Sequence, residues 1–244
     1  MKPELCIQDF GGINNADLGK SGARIIRGGS WKRQRVVTII PADAMIPAKC
    51  ALAMWNLIYP PNNGCVKILC QQMEVGHAYS VAIEQILAHP ELSTWEWILF
   101  CEQDNAPPPD GLLKLIARME EHPELSAISG LYWTKGPGSD GMSGGGVPQI
   151  WGRVDLPMNF MPQPPRAGEL IECMGIGQGF GLFRLSMFKD TRLRRPWFVT
   201  QKGPQGVSTQ DLYFWTDARK FGYRAAVDCD CKVGHWDHAS QIMW

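Results

Sequence analysis

The amino-acid sequence predicts a doubly wound α/β sheet, and three observations lead to this fold class. Between residues 36 and 133, apolar runs alternate with amphipathic runs in the order strand, helix, strand, helix, strand, helix, strand. This alternation is typical of sheets covered by crossover helices. The chain has 244 residues, which is enough to bury the core of one large domain. No segment repeats at a fixed period.

Each element of this pattern has its own signal. The first strand is β-branched throughout and stops before Pro41. The third, Trp97–Cys101, is a run of five non-polar residues, which is typical of a strand buried on both faces. Asp110 is placed to cap the helix that follows. The predicted strands are residues 36–40, 65–70, 97–101 and 127–133, and the predicted helices lie within residues 47–59, 77–88 and 110–119.

The composition is that of an ordinary globular protein without a global charge. Twenty-four basic and twenty-four acidic residues balance, so no overall field draws the chain to nucleic acid or membranes. The sequence has no apolar run of 18 residues or more and no signal-peptide pattern. Its eight cysteines lack C-x-x-C spacing, which favours free thiols in a reducing compartment over zinc or disulfides. We therefore expect a cytoplasmic protein without a membrane partner.

The second half of the chain is less regular. Residues 136–146 contain six glycines, and this loop is either a linker or a lid that closes over a ligand. The glycines of residues 175–181 lack the spacing of a dinucleotide-binding motif. They indicate either close approach of the backbone to a ligand or to another strand, or a bulged strand. A last strand, residues 223–233, is followed by His235, Asp237 and His238, which are either structural or ligand-binding.

Two places present carboxylates in positions suited to chemistry. Glu102 and Asp104 come directly after the third strand, at the end where open α/β sheets place their ligands. Carboxylates are ligands that Mg²⁺ prefers, although an isolated pair of this spacing is also typical of a polar exit from a strand. Asp211 lies at the start of the last helix. There it is either a general base or the acidic half of a capping box with Ser208.

Two clusters of basic residues either contact a polyanion or solvate the surface. The first belongs to residues 1–35, an irregular arm that also carries Trp31 for stacking. Binding of a phosphate backbone by either cluster would fall steeply with salt. The first cluster consists of Lys20, Arg24, Arg27, Lys32, Arg33 and Arg35, and the second of Arg184, Lys189, Arg192, Arg194, Arg195 and Lys202.

In this order, the motifs resemble a nucleotide-sugar-dependent glycosyltransferase of the GT-A fold, similar to family 2 enzymes, over residues 36–238. Ile39-Ile40-Pro41 is similar to the family's donor-binding entry, and Glu102-Gln103-Asp104 stands where the family carries its D-x-D motif. Gly179-Phe180-Gly181 resembles the acceptor-side glycine segment. Gln210-Asp211 resembles the E-D pair whose second member is the catalytic base, and His235 falls where several GT-A families place a third metal ligand.

The resemblance implies a GT-A-like doubly wound mixed sheet with helices on both faces. It implies one domain over residues 36–244, with a donor-binding half at 36–135, an acceptor-side half at 147–244 and the flexible loop at 136–146 between them. It also implies an inverting transfer from a UDP-sugar to an acceptor hydroxyl, with Asp211 as the base beside Gln210. The implied ligands of Mn²⁺ or Mg²⁺ are Asp104, Glu102 and His235, and the implied donor-binding residues are Pro41, Ala42, Asp43, Glu102, Gln103, Asp104 and Gly179.

Two departures from the family pattern bear on these roles. Glu102 replaces an aspartate, so its longer side chain could leave Asp104 alone on the metal. Gln210 replaces a glutamate, so it can orient a neighbour but not ionise. Whether His235 or His238 binds the metal is left open.

The sequence leaves several alternatives open for the acceptor and for the class of protein. The chain also resembles bacteriophage-encoded glycosyltransferase-like proteins, which suggests a 5-hydroxymethylated pyrimidine in DNA as acceptor, with a flipped-out base. Glycan and protein acceptors stay open. A nucleotidyltransferase would share the strand-end carboxylates and the ion, although no glycine-rich, lysine-bearing phosphate loop lies near Pro41. A non-catalytic nucleic-acid-binding protein would keep the fold without turnover.

Overall fold

The structure is a computed structural model that describes residues 34–62, 64–135, 146–203 and 206–244. The basic arm before Gln34 and the glycine-rich loop at 136–145 lie outside the described residues, so the predictions made for them are not tested. Within residues 202–208 the structure describes the backbone alone, at positions 202, 203 and 206–208.

A seven-stranded mixed sheet forms the centre of the fold. The strands lie in the order β2-β1-β3-β6-β4-β7-β5. All neighbouring pairs are parallel except those made by β6, which is antiparallel to β3 and β4, and by β5, which is antiparallel to β7. In chain order the strands are β1 (Val36–Ala42), β2 (Cys65–Gln71), β3 (Trp97–Cys101), β4 (Ala127–Leu131), β5 (Leu170–Cys173), β6 (Phe180–Arg184) and β7 (Ala225–Lys232).

Four α-helices and several short elements complete the described chain. The helices are α1 (Ala48–Trp55), α2 (Val75–Ala88), α3 (Gly111–Glu121) and α4 (Gln210–Ala218). Three 3₁₀ turns cover Leu92–Thr94, Leu185–Lys189 and Arg219–Phe221. The short strands are Asn105–Ala106, Trp133–Thr134, Val147–Pro148, Ile150–Trp151, Gly175–Ile176, Gln201–Gly203, Gly206–Ser208, Gly234–Asp237 and Ile242–Met243.

Helices cover both faces of the sheet, as predicted. On β3, Ile98 and Phe100 belong to a core shared with α2 and α4. Leu99 and its alternate neighbours belong to a second core, shared with α3. All five β3 residues are buried, because successive side chains of a strand point to opposite faces. The predicted strand with two buried faces is therefore confirmed.

Some predicted boundaries were wrong. β1 continues through Pro41 to Ala42, where it still pairs with β2. Its pairing with β3 already stops at Ile39, so the N–H that Pro41 lacks is not needed for a hydrogen bond to β3. α1 lies within the predicted range 47–59 and ends at Trp55, before the last residues of that range. α4 has Thr209 rather than Ser208 at its N-cap, and this residue makes no side-chain cap hydrogen bond. Asp211 is therefore the second residue of the helix, and the predicted capping box with Ser208 does not form.

The cysteine prediction holds for the part of the chain that the structure describes. Seven cysteines are free, and all of them are buried except the half-buried Cys65. Burial raises the pKa of the Cys50 thiol to about 12 and that of Cys173 to about 12, so these thiols stay protonated and unreactive at neutral pH.

A partly buried ion pair joins α3 to β7. Arg118 Nε donates to Asp228 Oδ2 at 3.2 Å, and the Asp228 side chain is 2% exposed. Arg118→Met would leave this carboxylate buried without its cation, and we expect it to lower the free energy of unfolding by about 3 kcal/mol. Chemical denaturation measures the change. Arg166→Met, which breaks the exposed Arg166–Glu169 pair, should cost under about 1 kcal/mol, and equal losses would contradict this account.

Candidate active site

The carboxyl ends of β1 and β3 lie side by side, and each is followed by an acidic residue. Asp43 follows β1, and its backbone N–H donates to Gln103 Oε1 at 2.7 Å. Gln103 Nε2 in turn donates to Asp43 Oδ2 at 3.1 Å. The structure thus brings together two segments that the sequence predicted at the donor end, because parallel neighbouring strands end at the same edge of a sheet.

Asp104 lies against the segment that follows β7. Its Oδ2 is 3.5 Å from His235 Nε2, and the two side chains are 25% and 16% exposed. Its carbonyl accepts the Trp236 N–H at 2.7 Å, and its Oδ1 accepts from Asn105 Nδ2 at 3.1 Å. His238 is exposed in the turn beyond. Of the two histidines, it is His235 that the structure places beside Asp104.

The Asp104–His235 pair fits a divalent cation. Two ligand atoms about 2.1 Å from an ion, at angles of about 90–110°, lie about 3.0–3.4 Å apart, close to the observed separation. Buried His235 Nδ1 has no hydrogen-bond partner in the described chain, so no acceptor there fixes the ring's tautomer. Within the described ranges, no three His, Cys, Asp or Glu side chains group closely enough to hold a metal. Two protein ligands supplemented by phosphate and water are nevertheless typical of Mg²⁺ sites.

Glu102 contacts a tyrosine of α2. Tyr79 Oη donates to Glu102 Oε1 at 2.9 Å, and the Glu102 N–H donates to the Gly179 carbonyl at 2.9 Å. Burial, and then the charges of Asp104 and Asp211, raise the pKa of Glu102 to about 8. Glu102 as a metal ligand stays a prediction.

Asp211 is buried in the first turn of α4 and is 7% exposed. Its Oδ1 accepts the Leu212 N–H at 2.8 Å and the Thr209 hydroxyl. Burial raises its pKa above that of an ordinary aspartate. Because its charge also raises the pKa values of Glu102 and Tyr132, Asp211 belongs to the same neighbourhood as the strand-end acids. Gln210 is half-buried beside it.

The glycine-rich segment before β6 packs closely against the acidic turn. Gly179 N–H donates to Tyr132 Oη at 3.0 Å. A Cβ on Gly179 would lie 2.6 Å from the Asn105 side chain, and one on Gly177 would lie 2.1 Å from the Tyr132 hydroxyl. β6 itself pairs in regular register with β3 and β4, so the glycines allow close approach rather than a bulge. Whether Gly179 contacts a donor stays a prediction.

Three residues around the acids were missed by the sequence analysis: Tyr79, Tyr132 and Asn105. Tyr79 falls in a predicted helix and Tyr132 in a predicted strand, where apolar periodicity treats tyrosine as core. Asn105 reads as part of a loop because Pro107 and Pro108 follow it. The only available signal was that buried tyrosine hydroxyls need partners.

Tyr79→Phe removes the hydroxyl that favours the charged form of Glu102. We expect it to lower the free energy of unfolding by about 1–3 kcal/mol. The loss should grow as pH rises through about 8, because a protonated Glu102 depends less on this donor. Urea titrations at pH 6 and pH 9 measure it. Tyr59→Phe, which removes a 2.9 Å contact with Thr38 Oγ1, should show no such pH dependence, and a flat profile for both variants would count against this reading of Glu102.

Most of the second basic cluster is engaged within the chain. Arg184 donates to the carbonyls of Leu125 and Met119 and lies 5.0 Å from the Trp97 ring. Its pKa is lowered by burial. Three other arginines of the cluster also have partners. Arg192 forms an ion pair with Asp190, Arg194 lies over the ring of Tyr213, and Arg195 lies over the ring of Trp197. Among the described residues, the side chain of Lys189 has no hydrogen bond, ion pair or ring contact, and the side chain of Lys202 is not among those that the structure describes.

The arm is described only at its end, where Arg35 pairs with Glu96 at 2.8 Å. Within the described ranges, no helix has the length and apolar character needed to cross a bilayer.

Comparisons with known proteins give matches among structures alone. A scan against protein families and a search of curated proteins find none. The chain is similar to A197 from STIV, with a TM-score of 0.58 and 15% identity over 86% of this chain and 92% of that one. It also matches GalNAc-T7, solved with UDP, GalNAc and Mn²⁺, at a TM-score of 0.47 and 10% identity over 82% of this chain and 43% of that one. The likeness to A197 concerns the fold alone, and with the sheet described above it confirms the predicted class, a GT-A-like doubly wound mixed sheet.

Proposed function

We propose that this protein is a metal-dependent glycosyltransferase that moves a sugar from a UDP-sugar to an acceptor hydroxyl. The observation that carries the proposal is the approach of His235 Nε2 to Asp104 Oδ2, at 3.5 Å, just beyond the carboxyl end of β3. The charges of Asp104 and Asp211 both raise the pKa of Glu102, which places Asp211 in the same neighbourhood. Ligands of open α/β sheets bind at the carboxyl ends of the strands. A cation-binding pair and a separate buried carboxylate are what transfer from a nucleotide-sugar requires.

Asp104 and His235 would hold the divalent ion, Mn²⁺ or Mg²⁺. When bound, the ion neutralises the charge of the leaving diphosphate as a Lewis acid. Pro41 and Ala42, at the buried end of β1, and exposed Asp43 would contact the nucleoside, with Gln103 bonded to Asp43. Gly179 would line the sugar side, and Glu102 would contact donor hydroxyls or add a ligand.

Asp211 would act as the general base. The acceptor oxygen attacks the anomeric carbon, its proton passes to the Asp211 carboxylate, and the bond between that carbon and the diphosphate oxygen breaks with its electron pair on the diphosphate. One displacement of this kind inverts the anomeric centre. A raised pKa suits the role, because it makes the carboxylate a stronger base than an ordinary aspartate. Gln210 would orient the neighbouring groups.

The acceptor is the part of the proposal with the least support. A hydroxymethylated pyrimidine in DNA needs cations for the phosphate backbone, and several arginines predicted for this purpose already have partners within the chain. Glycan and protein hydroxyls are equally compatible with Asp211 as base. The acceptor therefore forms a separate arm of the experiment.

The test is to mix the protein with Mn²⁺ and a panel of nucleotide-sugars, with and without hydroxymethylcytosine DNA, and to measure the nucleoside diphosphate released. We expect release with one UDP-sugar. A rise with DNA would identify the acceptor, and slow release that ignores DNA would direct the search to glycans or proteins. Release of pyrophosphate from nucleoside triphosphates would favour a nucleotidyltransferase instead. If no nucleoside diphosphate is released and calorimetry detects no binding of any donor, the proposal is overturned. A binding protein would then be the remaining alternative.

A further inference from the structure

Asn105 contacts Asp104 from the side opposite to His235. Its Nδ2 donates to Asp104 Oδ1 at 3.1 Å, while Asp104 Oδ2 is the atom near His235 Nε2. One carboxylate oxygen is therefore held and the other is presented to the histidine. Asn105 is also the backbone partner of His235 in the short antiparallel ladder between Asn105–Ala106 and Gly234–Asp237. Asn105 therefore contacts both Asp104 and His235.

The orientation of the Asn105 amide is determined by Asp104. The side chain is fully buried, and its Oδ1 has no partner in the described chain. A carboxylate accepts hydrogen bonds and cannot donate them, so only the NH₂ end of the amide can face it. The amide thus leaves its own oxygen unsatisfied while it donates to Asp104. A buried oxygen without a partner costs free energy, so an apolar side chain would fill this space at lower cost if packing were the only role of residue 105.

Gly179 packs against the Asn105 amide. The place of a Cβ on Gly179 is 2.6 Å from both Nδ2 and Oδ1 of Asn105 and 2.8 Å from its Cγ. These nearly equal distances show that the amide plane lies flat against the glycine. Any larger residue at 179 would displace the amide from Asp104. The Gly179 carbonyl, held by the Glu102 N–H at 2.9 Å, keeps the glycine in place.

We propose that Asn105 is a positioning residue that holds Asp104 for the divalent cation, and that Gly179 acts through Asn105. The inference rests on the proposed function only in taking Asp104 and His235 as the cation-binding pair. It assigns Gly179 a role in metal affinity, in contrast to the donor contact implied by the family resemblance. Groups that orient a metal ligand typically change metal affinity by about 10–100-fold when they are removed.

The experiment titrates Mn²⁺ into the protein and follows free Mn²⁺ by electron paramagnetic resonance, with UDP present and absent. Asn105→Ala should weaken Mn²⁺ binding by about tenfold or more. Asn105→Ser, which restores a short donor, should fall between Ala and the native chain. Gly179→Ala should weaken binding in the native background but add little in the Asn105→Ala background, because the smaller side chain leaves room for the methyl group.

Controls separate positioning from general damage to the fold. Asn159→Ala removes a side chain that donates to the Pro157 carbonyl, away from the acids, and should leave Mn²⁺ affinity unchanged. Thermal unfolding shows which variants are folded, and the Ser and Gly179 variants keep the test valid if Asn105→Ala does not fold. Unchanged Mn²⁺ affinity in folded variants, or additive losses in the double variant, would overturn the inference. If the native chain binds no Mn²⁺, Asp104 and His235 are not a cation-binding pair, and the inference about Asn105 is overturned as well.

Discussion

Replacing Asp211 with Asn is expected to reduce sugar transfer by about 10²–10⁴-fold, the usual contribution of a general base. The change is isosteric, and the amide oxygen can still accept from the Leu212 N–H and the Thr209 hydroxyl. Donor affinity should therefore survive within a few-fold. Single-turnover release of nucleoside diphosphate measures transfer, and calorimetry measures donor binding.

The same substitution should stabilise the fold. Because burial raises the pKa of Asp211, the native state binds this proton more tightly than the unfolded state. Stability is therefore lost as pH rises from the ordinary aspartate pKa, about 3.9, through the raised one. Asp211→Asn removes the buried charge, so its melting temperature should exceed that of the native chain at pH 7. The difference should vanish below about pH 4.

Asp217→Asn is the matched control on the same helix. Asp217 is also buried, and its Oδ2 accepts the Arg194 N–H at 2.9 Å. We expect a modest change in stability and a transfer rate close to that of the native chain. Transfer that persists in Asp211→Asn, or donor binding that disappears from a folded Asp211→Asn protein, would rule out the role of base.

Asp104→Ala should weaken Mn²⁺-dependent nucleotide binding by at least about 100-fold, since it removes a direct ligand rather than a supporting group. The alanine leaves His235 Nε2 without the neighbouring carboxylate oxygen that lies 3.5 Å away. Calorimetric titration of UDP with and without Mn²⁺ separates the metal-dependent part of the affinity. The metal-free part should change little.

An exposed acid provides the comparison for this second variant. Asp155 pairs with Arg153 at the surface, and both side chains are more than half exposed. Asp155→Asn should leave nucleotide binding unchanged at every Mn²⁺ concentration. Equal affinity in Asp104→Ala and the native chain would exclude Asp104 from the cation site.

The strand-end acids could be located from the sequence because their position follows from local patterns. Five consecutive apolar residues at Trp97–Cys101 define a buried strand, and its end defines where Glu102 and Asp104 lie. Asp43 was predicted there through the family resemblance, and the parallel pairing of β1 with β3 explains why it lies at the same edge. These are consequences of strand periodicity and sheet direction, and both are readable from residue type alone.

The partners of these acids could not be predicted in the same way. Tyr79 Oη reaches Glu102 from a helix, and Asn105 Nδ2 donates to the carboxylate of the preceding residue, Asp104. Such contacts depend on rotamers and on the separation of packed layers, which one sequence does not encode in any periodic pattern.

The connectivity of the sheet has a consequence for the order in which the molecule folds. Asp104 follows β3, whereas His235 follows β7, the last strand of the sheet to be synthesised. β7 docks between β4 and β5, and such pairings between distant parts of a chain form slowly. A nascent or partly refolded chain can therefore present Asp104 while His235 is still unplaced. Tight capture of the cation would mark completion of folding, and stopped-flow mixing with Mn²⁺ would time that last step.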